Sequence, residues 1–394
     1  MKRLTPLKGM DNVSHDDTMS SFGKEGFVAL RDAVNVDIDA SGRTQLRRTG
    51  SMVTDNKYQN LWQSSLHGDV FATLGPDLVR VNVSDWSHEI LGDIGSDTAT
   101  VEYLIINNLI YISNGVEIFT FDGQSLNELT IDSPAAPVLR LGIGELDQGT
   151  YTVALSWVAS GKESALSGSV SIDVDNDQGI NLLLPYCFEA SVDSVVVYCT
   201  TRDGGELHKL ITLPIAQREV SITNLVDLGR AAQFANLSSL PGGKFTGYWQ
   251  GRLVTANRNI IRFSQAMNFH LHDERYDYVA MPQRITFMKP TDNGIWVGQV
   301  DHVAFLSGSE PSSLQMVRKT AQAPVPFSAI YSDSEDLGEI AQGGQVVVWL
   351  SQHGYVVGSP LGQLIEPHAN RLKGISAKVG QSVRFAQRVI TISK

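Results

Sequence analysis

The residues 269–274, Phe-His-Leu-His-Asp-Glu, set two imidazoles two positions apart with carboxylates beside them. On a strand, side chains two apart face the same way, so His270 and His272 could reach one metal ion, with Asp273 and Glu274 as oxygen donors. A closed site needs a third and fourth ligand, and nothing nearby in sequence supplies a clear one. The plainer reading is a polar loop at a sheet edge. In residues 172–179, Asp173, Asp175 and Asp177 alternate in the manner of calcium-loop ligands, but the acidic residue at the twelfth position that closes an EF-hand loop is missing. Val174 between the first two suits a strand end, so a solvated loop is expected. No metal or cofactor is expected.

Nucleophile and phosphate-loop signatures are absent: there is no Gly-x-Ser-x-Gly, no P-loop and no glycine-rich dinucleotide turn. Carboxylate pairs on separate strands escape such a search, which keeps a glycan-binding or carbohydrate-active protein as the alternative. The expectation is a protein that is not an enzyme. A basic cluster, Arg43, Arg47 and Arg48, could meet nucleic acid or the acidic groups of a neighbouring subunit. Against 42 acidic residues there are only 31 lysines and arginines, a net charge of −11, which disfavours gripping phosphates. The three arginines are therefore candidates for a subunit interface, where a planar bidentate donor is favoured. Cys187 and Cys199 lack metal-ligand spacing and read as reduced packing residues. Trp62, Trp86, Trp157, Trp249, Trp296 and Trp349 fall within or beside expected strands and read as core.

Those residues must be positioned by strands. Helical periodicity is nearly absent, and short apolar or alternating stretches are broken by Gly, Asn, Asp and Ser roughly every 8 to 12 residues. The 394 residues are 42% hydrophobic, and 35 are glycines, which suit tight hairpin turns. Turns are expected at 67–69, 75–77, 107–108, 114–115, 256–259, 292–294, 299–301 and 353–354. Three-strand units recur at about 40 residues, the sign of small sheets stacked radially. The expected fold is all-β: a β-propeller of about five or six blades carrying an inserted immunoglobulin- or fibronectin III-like β-sandwich. Residues 1–137 and 229–394 form the propeller and 138–228 the insertion. A sandwich array is the competing architecture. The terminal strand 388–394 is expected to share a blade with the N-terminal region. In the insertion, Trp157, Tyr198 and alternating valines are expected between the sheets. No apolar run approaches the roughly 20 residues of a membrane helix, and the first residues lack a leader's apolar region, so a cytoplasmic site of synthesis is expected.

The order of features in 151–210 (Tyr151, Trp157, a Lys-Glu-Ser turn, a proline-ended strand, then a Val-Val-Val-Tyr-Cys hairpin) resembles fibronectin type III modules. Residues 29–50, with Ala33, Asn35, Asp37, Asp39, Ser41, Gly42, Arg43, Arg47 and Gly50, resemble the opening of propeller proteins from bacteriophage tails, and 251–274 and 285–319 resemble their blades. That resemblance implies a virion structural protein: a homo-oligomeric ring, usually six copies, forming the nozzle or hub of the tail tube. Its implied partners are adaptor or portal rings, tail fibres, and packaged DNA passing through without specific binding. An acidic lumen suits such passage, because like charges repel.

Overall fold

The computed structural model describes residues 7–15, 28–39, 41–47, 50–95, 100–233, 235–320, 322–334, 344–385 and 388–394. Its strands group into five four-stranded antiparallel blades, a two-sheet sandwich, and several two-stranded pieces. The fold is an all-β propeller carrying an inserted sandwich.

Blade 1 is built from Gln59–Gln63, Val70–Leu74, Asp77–Val81 and His88–Asp93, and blade 2 from Glu102–Ile106, Leu109–Ser113, Ile118–Phe121 and Leu126–Glu128. Blade 3 comprises Phe245–Trp249, Arg252–Asn257, Ile260–Phe263 and Tyr278–Ala280. Blade 4 comprises Ile285–Thr291, Gly294–Gln299, Val303–Ser307 and Gln315–Thr320, and blade 5 Ile330–Asp333, Gln345–Ser351, Gly354–Gly358 and Leu364–Ile365. The blades close on turns that need a left-handed backbone: Asn107 and Asn108 take φ of 48° and 62°, the two-residue hairpin turn whose twist matches the strands.

Each blade hides its apolar faces against the next. Phe71 and Leu78 of blade 1 pack with Ile110, Phe119 and Phe121 of blade 2. Ile106 and Tyr111 meet Leu253 of blade 3, Trp249 and Phe263 meet Met288 and Ile295 of blade 4, and Trp296 and Phe305 meet Val347 and Trp349 of blade 5. The first strands of blades 2, 3 and 4 adjoin one another as their inner strands. Glu102 of blade 2 lies 3.6 Å from Lys289 of blade 4 and accepts the Thr246 amide of blade 3 at 3.3 Å. Gly247 is needed there: a Cβ on it would stand 2.5 Å from Pro290 Cγ on the neighbouring inner strand.

The strands Gly380–Phe385 and Arg388–Ser393 form a terminal hairpin packed on blade 5 through Val389. The expectation that the N-terminal region shares this sheet is corrected: among the described residues the hairpin is a sheet of two strands. The N-terminal strands pair among themselves, Leu7–Met10 with Val28–Leu30 and Val36–Ile38 with Thr44–Leu46. The arm is held instead by Asn12, whose backbone N–H donates to Arg371 O, whose Nδ2 donates to Lys373 O, and whose Oδ1 accepts the Lys373 N–H, each at 2.9 Å.

In the sandwich, Val138–Leu146, Gln178–Leu183 and Glu219–Ile222 form one sheet. The other holds Gly149–Ala159, Lys162–Glu163, Val170–Val174, Ser194–Thr200 and Leu207–Pro214. Period-two alternation sends Tyr151, Val153, Leu155 and Trp157 between the sheets with Val195, Val197 and Cys199. Tyr198 is corrected by the same alternation. It sits on the opposite face, where its hydroxyl and that of Ser156 both donate to Glu163 Oε1 at 2.5 Å. Strand parity decides this, since Tyr198 pairs with Ala154 and not with a core position.

Candidate functional site

Blade geometry brings inner-strand starts and their neighbouring turns to one face. There, a cleft of about 920 Å³ is lined by five separate segments: 114–116, 244–245, 257–259, 282–286 and 326–327. Its apolar floor is Phe245, Ile285 and Phe327, with the two phenyl rings 5.1 Å apart. Lys244, Arg258 and Arg284 are exposed around it, and no carboxylate among the described residues lines it. Arg258 stands in the turn between two strands of blade 3 at φ 53°, and the Ile285 amide donates to its carbonyl at 2.7 Å, which ties this turn to blade 4. Asn257 Nδ2 donates to Gly115 O at 3.1 Å and Asn259 Nδ2 to Met281 O at 3.1 Å, so two amides brace the rim. Thr286 is buried at 3% exposure, and its Oγ1 has no hydrogen-bond partner. A pair of carboxylates, as glycoside hydrolysis requires, is not what this lining offers.

The terminal hairpin presents a second surface. Paired residues of a hairpin share a face, so Gln381 with Ile392, Val383 with Ile390, and Phe385 with Arg388 point one way. The other face, with Ser382, Val389 and Thr391, lies on blade 5: Ser382 Oγ donates to Ser328 O at 2.6 Å, and Thr391 Oγ1 is 2.9 Å from the Tyr355 hydroxyl. The outward face is thus apolar and in phase, with Val383 55%, Phe385 68%, Ile390 44% and Ile392 77% exposed. At the other end of the chain Val34, Leu46, Met52 and Val53 are also exposed.

The sequence-derived candidates are distributed as follows. Arg43 is exposed, with its amide donating to Asp39 Oδ1 at 2.9 Å, and Arg47 pairs with Asp37 at 2.8 Å. Arg48 lies outside the described residues. His270 and His272 are both buried and have different partners: His270 Nε2 is 2.9 Å from Glu163 O, and His272 Nδ1 is 3.2 Å from Ser238 O. Burial holds both imidazoles below their ordinary pKa. Asp173 accepts from Thr150 Oγ1 at 2.6 Å, Asp175 faces Gln148, and Asp177 occupies a turn at φ 63°. Trp249, Trp296 and Trp349 are fully buried. Cys187 and Cys199 are free thiols. Among the described residues, no helix is long and apolar enough to cross a membrane. The cleft escaped sequence reading because its cations come from separate segments and follow no motif.

No protein-family profile and no curated protein matches the chain. Similar solved structures include Hsv2 of Kluyveromyces lactis, 10% identical, with a TM-score of 0.32 over 86% of this chain and 90% of that one. The N-terminal part of BBS1 in complex with ARL6 is 10% identical, with a TM-score of 0.33 over 86% of this chain and 90% of that one. The resemblance to phage tail nozzle and hub proteins is thereby corrected. The structural neighbours are propeller proteins of yeast and of the BBS1 type, and turn chemistry and aromatic strands recur wherever blades are built. What this chain shares with them is the β-propeller.

Proposed function

We propose that the protein is a non-enzymatic structural subunit that assembles with further copies of itself, head to tail, into a closed ring. The observation that carries this reading is the in-phase apolar face of Val383, Phe385, Ile390 and Ile392. It stands at the end of the blade series, on a hairpin whose other face is already used. Every preceding blade covers such a face with its neighbour, and a sheet face left in water costs roughly 25 cal/mol per Å² of apolar surface. A second exposed apolar set near the opposite terminus, Val34, Leu46, Met52 and Val53, supplies a different surface for the next copy, as head-to-tail association requires. Non-catalysis is supported by the use of His270, His272 and Asp173 in structural hydrogen bonds. The test is the mass of the purified protein by light scattering, with negative-stain images. Rings are expected, with dissociation on Phe385→Asp or Ile392→Asp. A wild-type protein that stays monomeric at about 50 μM, where micromolar association would be evident, would overturn the reading.

A further inference from the structure

We infer that the cleft between the starts of blades 3, 4 and 5 is a binding site for a compact polyanion, a small molecule bearing two or more phosphate or sulfate groups. Two features converge. Lys244, Arg258 and Arg284 ring the cleft, and none of them forms an ion pair among the described residues, although the chain is acidic overall. Several cations elsewhere do have carboxylate partners: Arg80 with Glu89, Arg252 with Asp277 and Glu310, Lys289 with Glu102. Leaving three cations together without a counter-charge is unfavourable by mutual repulsion and is relieved by an anion placed between them.

The second feature is size and shape. A volume of about 920 Å³ is in the range of small-molecule sites, and the floor of Phe245, Ile285 and Phe327 suits the carbon skeleton that carries the anionic groups. Two guanidinium forks from different segments can each take two oxygens of one phosphate or sulfate, while Lys244 adds a point charge. A long duplex is disfavoured, because it would meet a chain whose net charge is −11.

The test is isothermal titration of the full chain with inorganic triphosphate and, separately, with a trisulfated heparin disaccharide. At least one is expected to bind with a micromolar Kd. Arg258→Ala with Arg284→Ala is expected to weaken that binding at least 10-fold. Both arginine side chains are exposed, so truncating them leaves the blade cores untouched, and an unchanged melting temperature certifies the fold. Binding of only one probe identifies the anionic group. No binding of either, equal binding by the double variant, or tighter binding of a DNA duplex than of both probes would overturn the inference. The readout is independent of ring assembly, so a monomeric protein that binds triphosphate would refute the proposed function and leave this site standing.

Discussion

His270 Nε2 lies 2.9 Å from the backbone oxygen of Glu163, joining propeller to sandwich across 107 residues of sequence. The imidazole is 5% exposed, and burial, the largest influence on it, favours its neutral form. A neutral ring protonated at Nε2 donates to the carbonyl.

A pH dependence follows. The folded pKa of His270 is lowered, as are those of His272 and His368, each chiefly by burial, so the unfolded chain binds protons more readily than the folded one. These residues favour the folded state above the unfolded pKa of about 6.5, and that contribution is lost as pH falls from there toward the folded values. The melting temperature by calorimetry is expected to drop between pH 7.5 and 5.5. In His270→Gln, it should drop less steeply.

Two neighbouring tryptophans should respond differently to phenylalanine. Trp296 Nε1 donates to Ser359 O at 2.9 Å, whereas Trp349 Nε1 is buried without a partner, and the rings stand 5.4 Å apart. Trp296→Phe strands a buried carbonyl, so in urea unfolding it is expected to cost about 1–3 kcal/mol more than Trp349→Phe. Equal costs would show that the Ser359 bond contributes nothing.

Gly247→Val forces a side chain into Pro290, 2.5 Å from where its Cβ would sit, and the inner strands of blades 3 and 4 must part. A loss of roughly 1–3 kcal/mol is expected in the same assay. Gly9, whose Cβ would meet nothing within 4 Å, is no guide here because its φ of 73° already strains any substitution.

The thiols should react unequally. Cys199 is buried, with its pKa pushed up to about 12, while Cys187 is half-buried. A disulfide reagent at pH 8 is expected to modify one thiol in the native protein and two in guanidinium.

The blades were legible because their turns carry local chemistry: Asn107-Asn108, Asn114-Gly115 and His353-Gly354 each announce a reversal, and the flanking residues alternate or run apolar. The sandwich core was legible for the same reason, except where parity placed Tyr198 on the far face. Long-range placement was not. His270 stands in the turn just before the short strand Leu271–His272, and the partners of the two histidines, Glu163 and Ser238, come from distant segments that no spacing rule connects. The same holds for the cleft, where the Arg258 turn meets blade 4 through one backbone hydrogen bond to Ile285.

Asn12 reaches Arg371 and Lys373 across about 360 positions of chain. Because a ribosome makes the arm about 360 residues before that docking loop, the arm must wait for all of that stretch to be synthesised before it can dock. During that interval its apolar residues are open to chaperones or to the arm of a neighbouring nascent chain. An exchange of arms between two such chains would make the same three hydrogen bonds as the intramolecular clasp.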